Sequence, residues 1–363
     1  MDRGKKDSTD RMSEKNCAAL HGGDVYRNRV RLDFSVNLNP FPMPASVKDA
    51  MLKGIEEIHQ YPDHSHQKLR ESIAAFEGVS ADSIICGNGA SELLMAAVHA
   101  VKPKKALITA PCYAGYAVAL GAEDAQIAEY PLDEKNGFAV GEGILGMITP
   151  ETDMVFIADP NNPNGKLLGP EIKEAIAGRC RECGAVLMID ECFYPLTEAG
   201  TERHGITDDA LHLRAFTKTF AIPGVRLGYM ISRDKDVLAG IKKHLPEWNV
   251  SRIAERSGEA AAAVLAETDY LRRSAELIAE ERAYLKTELE KLGIRVYPSD
   301  TNYLLIRSFA GLYGKLLEEG ILIRRCANFS GLDDTYFRIA VRPHADNVKL
   351  TETLGRILKA QQR

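Results

Sequence analysis

Two residues in the central part of the chain have settings in which side chains do covalent chemistry. Lys218 lies in AFTKTFAIPGVRLGY, after the strand-like run LRAF and before a glycine turn, where a lysine can face a cleft. Desolvation there favours the neutral amine, which attacks a carbonyl carbon to form a Schiff base. Asp190 ends the apolar run AVLMID, and a buried carboxylate is costly unless it meets a positive partner. The two residues predict a cleft with a lysine nucleophile and a cationic ligand.

A glycine turn and an arginine offer donors for a phosphate group. GNGASELL at 87–94 follows a strand-like run and opens a helix. Gly89 permits a close backbone approach, and the amides of Ala90 and Ser91 would lie at the helix N-terminus, where anions bind. Arg226 adds a fork-shaped donor, and Thr217 adds a hydroxyl. Strand-to-helix turns also carry glycine for steric reasons alone, so the turn is weak evidence by itself.

Two further residues suit an aromatic ring with a hydroxyl group. Tyr113, in APCYAGY, follows the run ALIT and is placed to stack on a ring. Asn162, in ADPNNPNG, follows MVFIA and can direct its amide at a ring hydroxyl. An ordinary half-buried tyrosine and a plain Asn-Pro turn are the alternatives. An amine, an anion, phosphate donors and an aromatic face are together what pyridoxal 5′-phosphate (PLP) requires, so we predict PLP as the cofactor.

Length and composition favour a globular enzyme. The chain has 363 residues, 45% of them hydrophobic and 27% charged, and a formal net charge of -5, which gives no reason to expect nucleic acid as a partner. No apolar run approaches the roughly 18 residues of a membrane-spanning helix. The first residues, MDRGKKDSTDRMSEKN, lack the apolar stretch of a signal peptide. We therefore expect a cytoplasmic protein with no membrane partner.

The cysteines and histidines do not indicate a metal site. The seven cysteines are odd in number and scattered, which argues against a disulfide framework. Cys180 and Cys183 form a CxxC in a helical stretch without a second ligand pair, so two free thiols are the favoured interpretation. His64 and His66 are at most half of a metal site, and a polar loop is the favoured account. We predict no metal.

Alternating patterns predict the fold class. Between residues 80 and 232, five short apolar β-rich runs alternate with helical segments, which is typical of an α/β fold with a mainly parallel sheet and ligands at the carboxyl ends of its strands. From Pro246 the pattern is helical until Gly293, and short strands and helices follow, as in a small α+β domain. The expected parts are a mobile tail at 1–20, a large domain at 46–245, and a small domain made of 21–45 and 246–363 with a connecting helix.

The segments DPNNPNG, MIDE and FTKTFAIPGVRLGY occur in this order and resemble the signature motifs of fold type I PLP enzymes, the aminotransferase class I and II superfamily. The resemblance covers nearly the whole chain from about residue 20 and implies the PLP-dependent transferase-like fold. It also implies a role for each matching residue: Lys218 forms the Schiff base, Asp190 pairs with the pyridinium nitrogen, Asn162 meets the ring hydroxyl, Tyr113 stacks on the ring, and Ala90, Ser91 and Arg226 bind the phosphate.

Three more positions bear on the resemblance. Members of the superfamily are usually homodimers with sites at the subunit interface, and Tyr61 in QYPD resembles the tyrosine that reaches the neighbouring subunit's cofactor phosphate. Phe193 stands where many aminotransferases have a tyrosine on the ring hydroxyl. Ala215 replaces a serine or threonine that often precedes the lysine by three residues, so one phosphate donor is missing and Thr217 is a less secure assignment.

Within the superfamily the chain is similar to two groups, the threonine-phosphate decarboxylases of cobalamin biosynthesis and the histidinol-phosphate aminotransferases. HGG with LDFSVNLNP, EWNVSRIAE and RRCANFSGLDDTYFRIAVR favour the first group, which also has phenylalanine at the position of Phe193. The resemblance implies a small amino acid or amino-acid phosphate as substrate.

The resemblance leaves the type of reaction open. The bond at Cα held perpendicular to the cofactor ring is the one that breaks, so a modest rotation of the substrate separates decarboxylation from transamination. The presence of Lys218, Asp190 and Arg226 together disfavours a third reading, a binding protein that has lost catalysis.

Basic residues near the C-terminus suit an anionic substrate. Arg338, in YFRIAVR, resembles the arginine that clamps the substrate carboxylate, and Arg324 resembles a second anion-binding arginine. If both hold, the substrate is a small dianion. His21 and Asn37 are candidates for substrate contact from the N-terminal segment, with a capping or turn role equally open. Arg325 is interpreted as a surface charge.

Overall fold

A computed structural model describes residues 22–201 and 205–361. The strands are β1 Leu32–Asp33, β2 Ile84–Gly87, β3 Lys105–Ala110, β4 Gln126–Pro131, β5 Met154–Ala158, β6 Val186–Asp190, β7 Ala210–Ala215, β8 Gly228–Ile231, β9 Arg295–Val296, β10 Tyr303–Arg307, β11 Ile321–Leu322, β12 Arg324–Arg325 and β13 Tyr336–Ala340. Seven of them form one sheet in the order β2-β8-β7-β6-β5-β3-β4. Only β8 in this sheet runs antiparallel to its neighbours.

The helices cover the faces of the sheets. They are α1 Ala45–Glu56, α2 Gln67–Glu77, α3 Ala90–Val101, α4 Gly115–Gly121, α5 Pro170–Cys183, α6 Phe216–Thr219, α7 Lys235–Lys242, α8 Arg252–Glu267, α9 Tyr270–Lys291, α10 Leu312–Glu318 and α11 His344–Gln361. Side chains cap the start of two of them: Asp234 accepts from the Asp236 and Val237 amides before α7, and the Ser251 hydroxyl accepts from the Ala254 amide at the start of α8. In the part of the chain that the structure describes, no helix is both long and apolar enough to cross a bilayer.

The central strands are buried on both faces, which explains their nearly continuous apolar sequences. Every residue of β5 is buried, and β6 is buried from Leu187 to Ile189. The carboxyl ends of these parallel strands meet at one edge of the sheet. The turn after β5 and the short helix α6 after β7 lie at that edge, and the side chains predicted to carry chemistry are therefore brought together.

A second, four-stranded antiparallel sheet has the order β12-β13-β10-β9. Its core includes Leu285 and Leu289 from α9, and Phe34 from the N-terminal segment. The same segment pairs β1 with β11 in parallel, Leu32 opposite Ile321. The N-terminal segment therefore packs with the second sheet and lies across the region between the two sheets.

The predicted α/β fold with a mainly parallel sheet is confirmed. The sequence patterns did not reveal β4, an edge strand without a buried residue, and they did not indicate that β8 is antiparallel. Helix α8 packs with α1 and α2 in a core shared with the large sheet, in which Ala254 and Ala261 contact the cluster of Val47 and Leu69. The domain boundaries stay a prediction. Helix α8 lies in the segment predicted to belong to the small domain, but it packs on the side of the large sheet.

Candidate active site

One cavity lies between the two sheets, at the carboxyl ends of the parallel strands. The predicted site residues that line it are Asn37, Ala90, Ser91, Tyr113, Asn162, Asp190, Thr217, Lys218, Arg226, Arg324 and Arg338. Gly89 lies just behind its wall, in contact with Arg226. Tyr61 is not among the lining residues, and His21 lies outside the described residues. Eleven of the predicted residues, from widely separated parts of the chain, therefore share one site.

Lys218 lies in the cavity wall on the short helix α6. Burial lowers the pKa of its ammonium group to about 8, and the positive charges of Arg338 and Arg226 act in the same direction. The N-terminal segment holds the backbone at Lys218, because the backbone N–H of Asn39 donates to the Lys218 carbonyl over 3.1 Å. The lysine is therefore a positioned amine that is readily neutral, as a Schiff-base nucleophile must be.

Asp190 ends β6 with its carboxylate in the cavity. Its Oδ2 accepts a hydrogen bond of 2.8 Å from the Tyr116 hydroxyl, and its Oδ1 accepts one of 3.0 Å from the Cys192 amide. Burial raises the pKa of Asp190, although these donors oppose the effect. Within the described ranges, no basic side chain is within ion-pair distance of it. A buried carboxylate with neutral donors alone suits a cationic ligand such as a protonated pyridine nitrogen.

The glycine turn before α3 is shaped by two close approaches. Gly89 has φ +82°, and a Cβ there would lie 2.4 Å from Nη2 of Arg226. A Cβ on Gly228 would lie 2.5 Å from the Ala90 amide nitrogen. Arg226 itself has φ +60° and is exposed, with its Nη1 donating to the Pro223 carbonyl over 3.1 Å. The guanidinium and the first amides of α3 thus face one small space, which suits a phosphate group.

Aromatic side chains form the walls of the cavity. Tyr113 is held edge-on against Tyr116, with ring centroids 5.5 Å apart, and burial raises the pKa of the Tyr113 hydroxyl. Phe193 lines the cavity and packs edge-on against Tyr303 at 5.0 Å. Phe193 offers no hydroxyl to a ligand, and Asn162, which also lines the cavity, stays the residue predicted to meet a ring hydroxyl.

Two buried arginines lie side by side on the second sheet and face the cavity. Arg324 and Arg338 are directly opposite each other in the pairing of β12 with β13. Burial, followed by the charge of Arg338, lowers the pKa of Arg324 to about 10, and burial lowers the pKa of Arg338. No described carboxylate is within ion-pair distance of Arg338, and its Nε has no hydrogen-bond partner. Adjacent buried cations of this kind favour anionic ligands.

The orientation of Arg338 is set by its neighbours. Its Nη1 donates to Oδ1 of Asn162 over 2.5 Å, and its Nη2 donates to the Ser35 carbonyl over 3.0 Å. The bond to Oδ1 turns the Asn162 amide nitrogen away from the arginine.

Asn37, two residues after Ser35, is a buried residue whose side-chain amide is unsatisfied. It is 2% exposed, and neither its Oδ1 nor its Nδ2 has a hydrogen-bond partner. Unsatisfied buried amide groups that line a cavity point to a polar ligand.

Sequence reasoning missed several contacts that hold the site. Tyr116 supports Asp190, the Ser35 carbonyl supports Arg338, and Asn328 accepts 2.7 Å from Nη2 of Arg324. Phe329 lies under the Arg324 guanidinium, 5.3 Å from ring centroid to Cζ. Only Tyr116 had a sequence signal, because it lies three residues after Tyr113 at the start of a helix, where both side chains can share a face.

A charged network lies behind Asp190, on the opposite face of the sheet. Glu191 accepts from His212 at 3.0 Å and from Nε of Arg214 at 2.8 Å, and Arg214 also pairs with Glu77. Burial opposes the charge of Arg214, but Glu191 and Glu77 raise its pKa. The described members of this buried ion network are Lys173, His212 and Arg214 on the basic side and Glu77, Asp159 and Glu191 on the acidic side.

The residues present fit PLP at both ends of the molecule. The unpaired Asp190 carboxylate suits a ring nitrogen, and the space between Arg226 and the start of α3, which a side chain at Gly89 would fill, suits the phosphate. Lys218 stands in the same cavity as an amine for the aldehyde. Together, the fold and this cavity define a PLP-dependent enzyme of the aminotransferase-like type.

Comparison with known proteins gives the family. The model of the aminotransferase class I and II family matches residues 29–357, and the chain belongs to that family. Its members use PLP, as predicted. A threonine-phosphate decarboxylase of Salmonella typhimurium is 36% identical over 90% of this chain and 91% of its own. A histidinol-phosphate aminotransferase of Methanothermobacter thermautotrophicus is 30% identical over 89% of this chain and 88% of its own.

A solved structure supports the same placement. The histidinol-phosphate aminotransferase of Clostridium acetobutylicum matches with a TM-score of 0.81 and 33% identity, over 91% of this chain and 99% of its own. Both groups that the sequence motifs suggested are therefore represented among the relatives. The predicted superfamily, cofactor and enzyme class are confirmed, while the roles of individual site residues stay predictions.

Proposed function

We propose that the chain decarboxylates a small phosphorylated amino acid, with L-threonine O-3-phosphate as the substrate to test. The pair of buried arginines carries this proposal. A carboxylate and a phosphate on one small molecule would supply the two anions that Arg324 and Arg338 favour. The relative that is 36% identical bears the name threonine-phosphate decarboxylase, which supports the same choice.

Each site residue has a defined task in this proposal. Bound PLP supplies an electron sink that stabilises the carbanion left when a bond at Cα breaks. Asp190 accepts a hydrogen bond from the ring nitrogen and holds the proton there. Arg338, locked by Asn162 and the Ser35 carbonyl, orients the substrate carboxylate with both arms of its guanidinium. The ammonium form of Lys218 would deliver a proton from Nζ to Cα after CO2 has left, and Nζ would become the neutral amine.

The N-terminal segment and the second sheet close the cavity over the substrate. Asn37 offers its two unsatisfied amide atoms, and Phe329 packs under Arg324, so the second anion is bound in a largely dry setting. Exclusion of water strengthens the attraction between the guanidinium and the anion. We assign the phosphate of the substrate to Arg324 and Asn37, and the carboxylate to Arg338.

We also propose that the enzyme acts as a homodimer in which Tyr61 serves the partner's site. Tyr61 is 80% exposed and packs against Trp248 with the rings tilted by 40° and their centroids 4.9 Å apart, and it does not line the cavity of its own chain. Sedimentation of the PLP-loaded protein should show a dimer, and Tyr61→Phe should weaken PLP binding while the dimer persists. A monomer with full PLP affinity would contradict this assignment.

The reaction is tested by incubating the PLP-loaded protein with L-threonine O-3-phosphate and 2-oxoglutarate, and by measuring CO2 and glutamate. We expect CO2 without glutamate. Glutamate without CO2 would assign the protein to the transaminases, with histidinol phosphate as the next substrate, in line with the relatives of that name.

The arginine assignment is tested with a matched pair of neighbours. Arg324→Met should raise KM for L-threonine O-3-phosphate by roughly 10- to 100-fold, the loss expected for a charge-assisted contact. Arg325→Met, at the exposed neighbour that pairs with Asp334, should change little. L-Threonine lacks the phosphate, so its slow turnover should be insensitive to Arg324→Met. Equal losses with both substrates would show that Arg324 does not bind the phosphate.

A further inference from the structure

A chain of hydrogen bonds runs from a buried histidine outside the cavity to the glycine turn of the phosphate site. Oε2 of Glu92 accepts from the Asn88 amide over 2.7 Å and from Nδ2 of Asn249 over 2.6 Å. Oδ1 of Asn249 lies 3.1 Å from Nε2 of His66. His66 therefore contacts, through two side chains, the backbone that precedes Ala90.

The partners in this chain define the contacts of the histidine ring. The amide nitrogen of Asn249 faces two acceptors, the Glu92 carboxylate and the Cys86 carbonyl at 3.3 Å, so its oxygen must face His66. On the other side of the ring, Nδ1 of His66 is 2.9 Å from Oε1 of Glu255. The ring is therefore held between two acceptors, one at each nitrogen.

The contact between His66 and Glu255 is buried. His66 is 7% exposed and Glu255 is 2% exposed. The second oxygen of Glu255 accepts from Nη1 of Arg252 over 2.9 Å, so the carboxylate is held from both sides. Asp63, one turn before His66, holds the start of α2 by accepting from the Gln67 amide. The other charged side chains around the histidine are Lys68, Arg70, Glu71, Arg256 and Glu259.

We propose that His66 is a positioning residue for the phosphate-binding turn. Its ring holds Asn249 in the orientation that donates to Glu92, and Glu92 in turn holds the Asn88 amide. Without the ring, the amide of Asn249 is free to turn. The turn then holds the phosphate less firmly. This inference rests on the phosphate position proposed above.

The chain contains one tryptophan, Trp248, directly before Asn249 and with φ +54°, so its fluorescence reports on this segment. In the cofactor-free protein, the emission of His66→Gln should differ from that of the wild type, because the ring no longer holds this segment. His64→Gln should keep the wild-type emission, since His64 is an exposed neighbour. Identical emission of His66→Gln and the wild type would contradict this role of His66.

Binding of pyridoxamine 5′-phosphate and of pyridoxamine to the full-length, cofactor-free protein supplies the second test. At neutral pH, His66→Gln should weaken binding of the phosphorylated compound by about tenfold, the size of one lost charge-assisted contact, and leave pyridoxamine unchanged. Equal weakening of both compounds, or no weakening, would overturn the role of His66. Equal affinity of the wild type for both compounds would instead show that the phosphate does not bind at this turn. Neither test depends on which substrate the enzyme uses.

Discussion

The closeness of Gly89 to Arg226 gives a quantitative prediction for Gly89→Ala. Gly89 has φ +82° and ψ 164°, a backbone region that essentially only glycine adopts, so a loss of folding stability of about 1–3 kcal/mol is expected from the backbone alone. The Cβ would also lie 2.4 Å from Nη2 of Arg226, and the exposed guanidinium would move away. The displaced arginine would lose a charge-assisted hydrogen bond to the phosphate, about 1.5–3 kcal/mol, or roughly 10- to 150-fold in affinity.

Gly293→Ala is the control for a positive φ alone, since Gly293 has φ +75° and no atom within 4 Å of the position of a Cβ. Both variants should lose stability in urea unfolding, whereas only Gly89→Ala should bind pyridoxamine 5′-phosphate more weakly in calorimetric titration. In an Arg226→Met background, Gly89→Ala should cost little further affinity. Dissociation constants of Gly89→Ala and Gly293→Ala that agree within a factor of about three would refute the reasoning, because the predicted gap is at least tenfold.

Two further predictions concern titration and buried charge. Burial lowers the pKa of Lys218 to about 8. The rate at which the absorbance of the lysine-bound cofactor appears should therefore rise with pH, with a midpoint near 8. A rate that continues to rise up to pH 10.5 would contradict this prediction. The unfolded lysine binds a proton that the folded one lacks between these values, so the cofactor-free protein should gain stability from pH 8 to 10.5. Glu191→Gln should lower the free energy of unfolding by about 3 kcal/mol, because it removes the carboxylate that His212 and Arg214 contact. Glu182→Gln, at an exposed ion pair, should lower it by less than about 0.5 kcal/mol. Similar urea midpoints for both variants would show that the buried charges contribute little to stability.

Strands buried on both faces were the part of the fold that the sequence predicted best. The runs MVFIA and AVLMID became β5 and β6, because continuous apolar residues are stable only inside a covered sheet. The edge strand β4 was not predicted, because it has polar residues such as Gln126 and Glu129 and no buried residue. Its strand conformation depends on pairing with β3, and such pairing is not visible in its own residues.

The candidate site followed from one rule, that parallel strands end at the same edge. Lys218, Asp190 and Asn162 each follow a strand, and their convergence on one cavity was predictable from that placement. Partners distant in the chain were not predictable. The interpretation of His66 as part of a polar loop did not foresee its burial against Glu255, which lies 189 positions away, because that contact depends on how α8 packs on α2.

The buried ion network behind Asp190 restricts how this region can be redesigned. Its basic and acidic members come from α2, α5, β7 and the turns directly after β5 and β6, so no single strand contains a balanced set. A graft of β6 and the turn after it from a relative that lacks Glu191 would leave buried Arg214 with Glu77 alone as a carboxylate partner, even if every residue facing the cofactor were kept. Transplants of the catalytic edge should therefore exchange β6 and β7 as one unit, together with the residue at position 77.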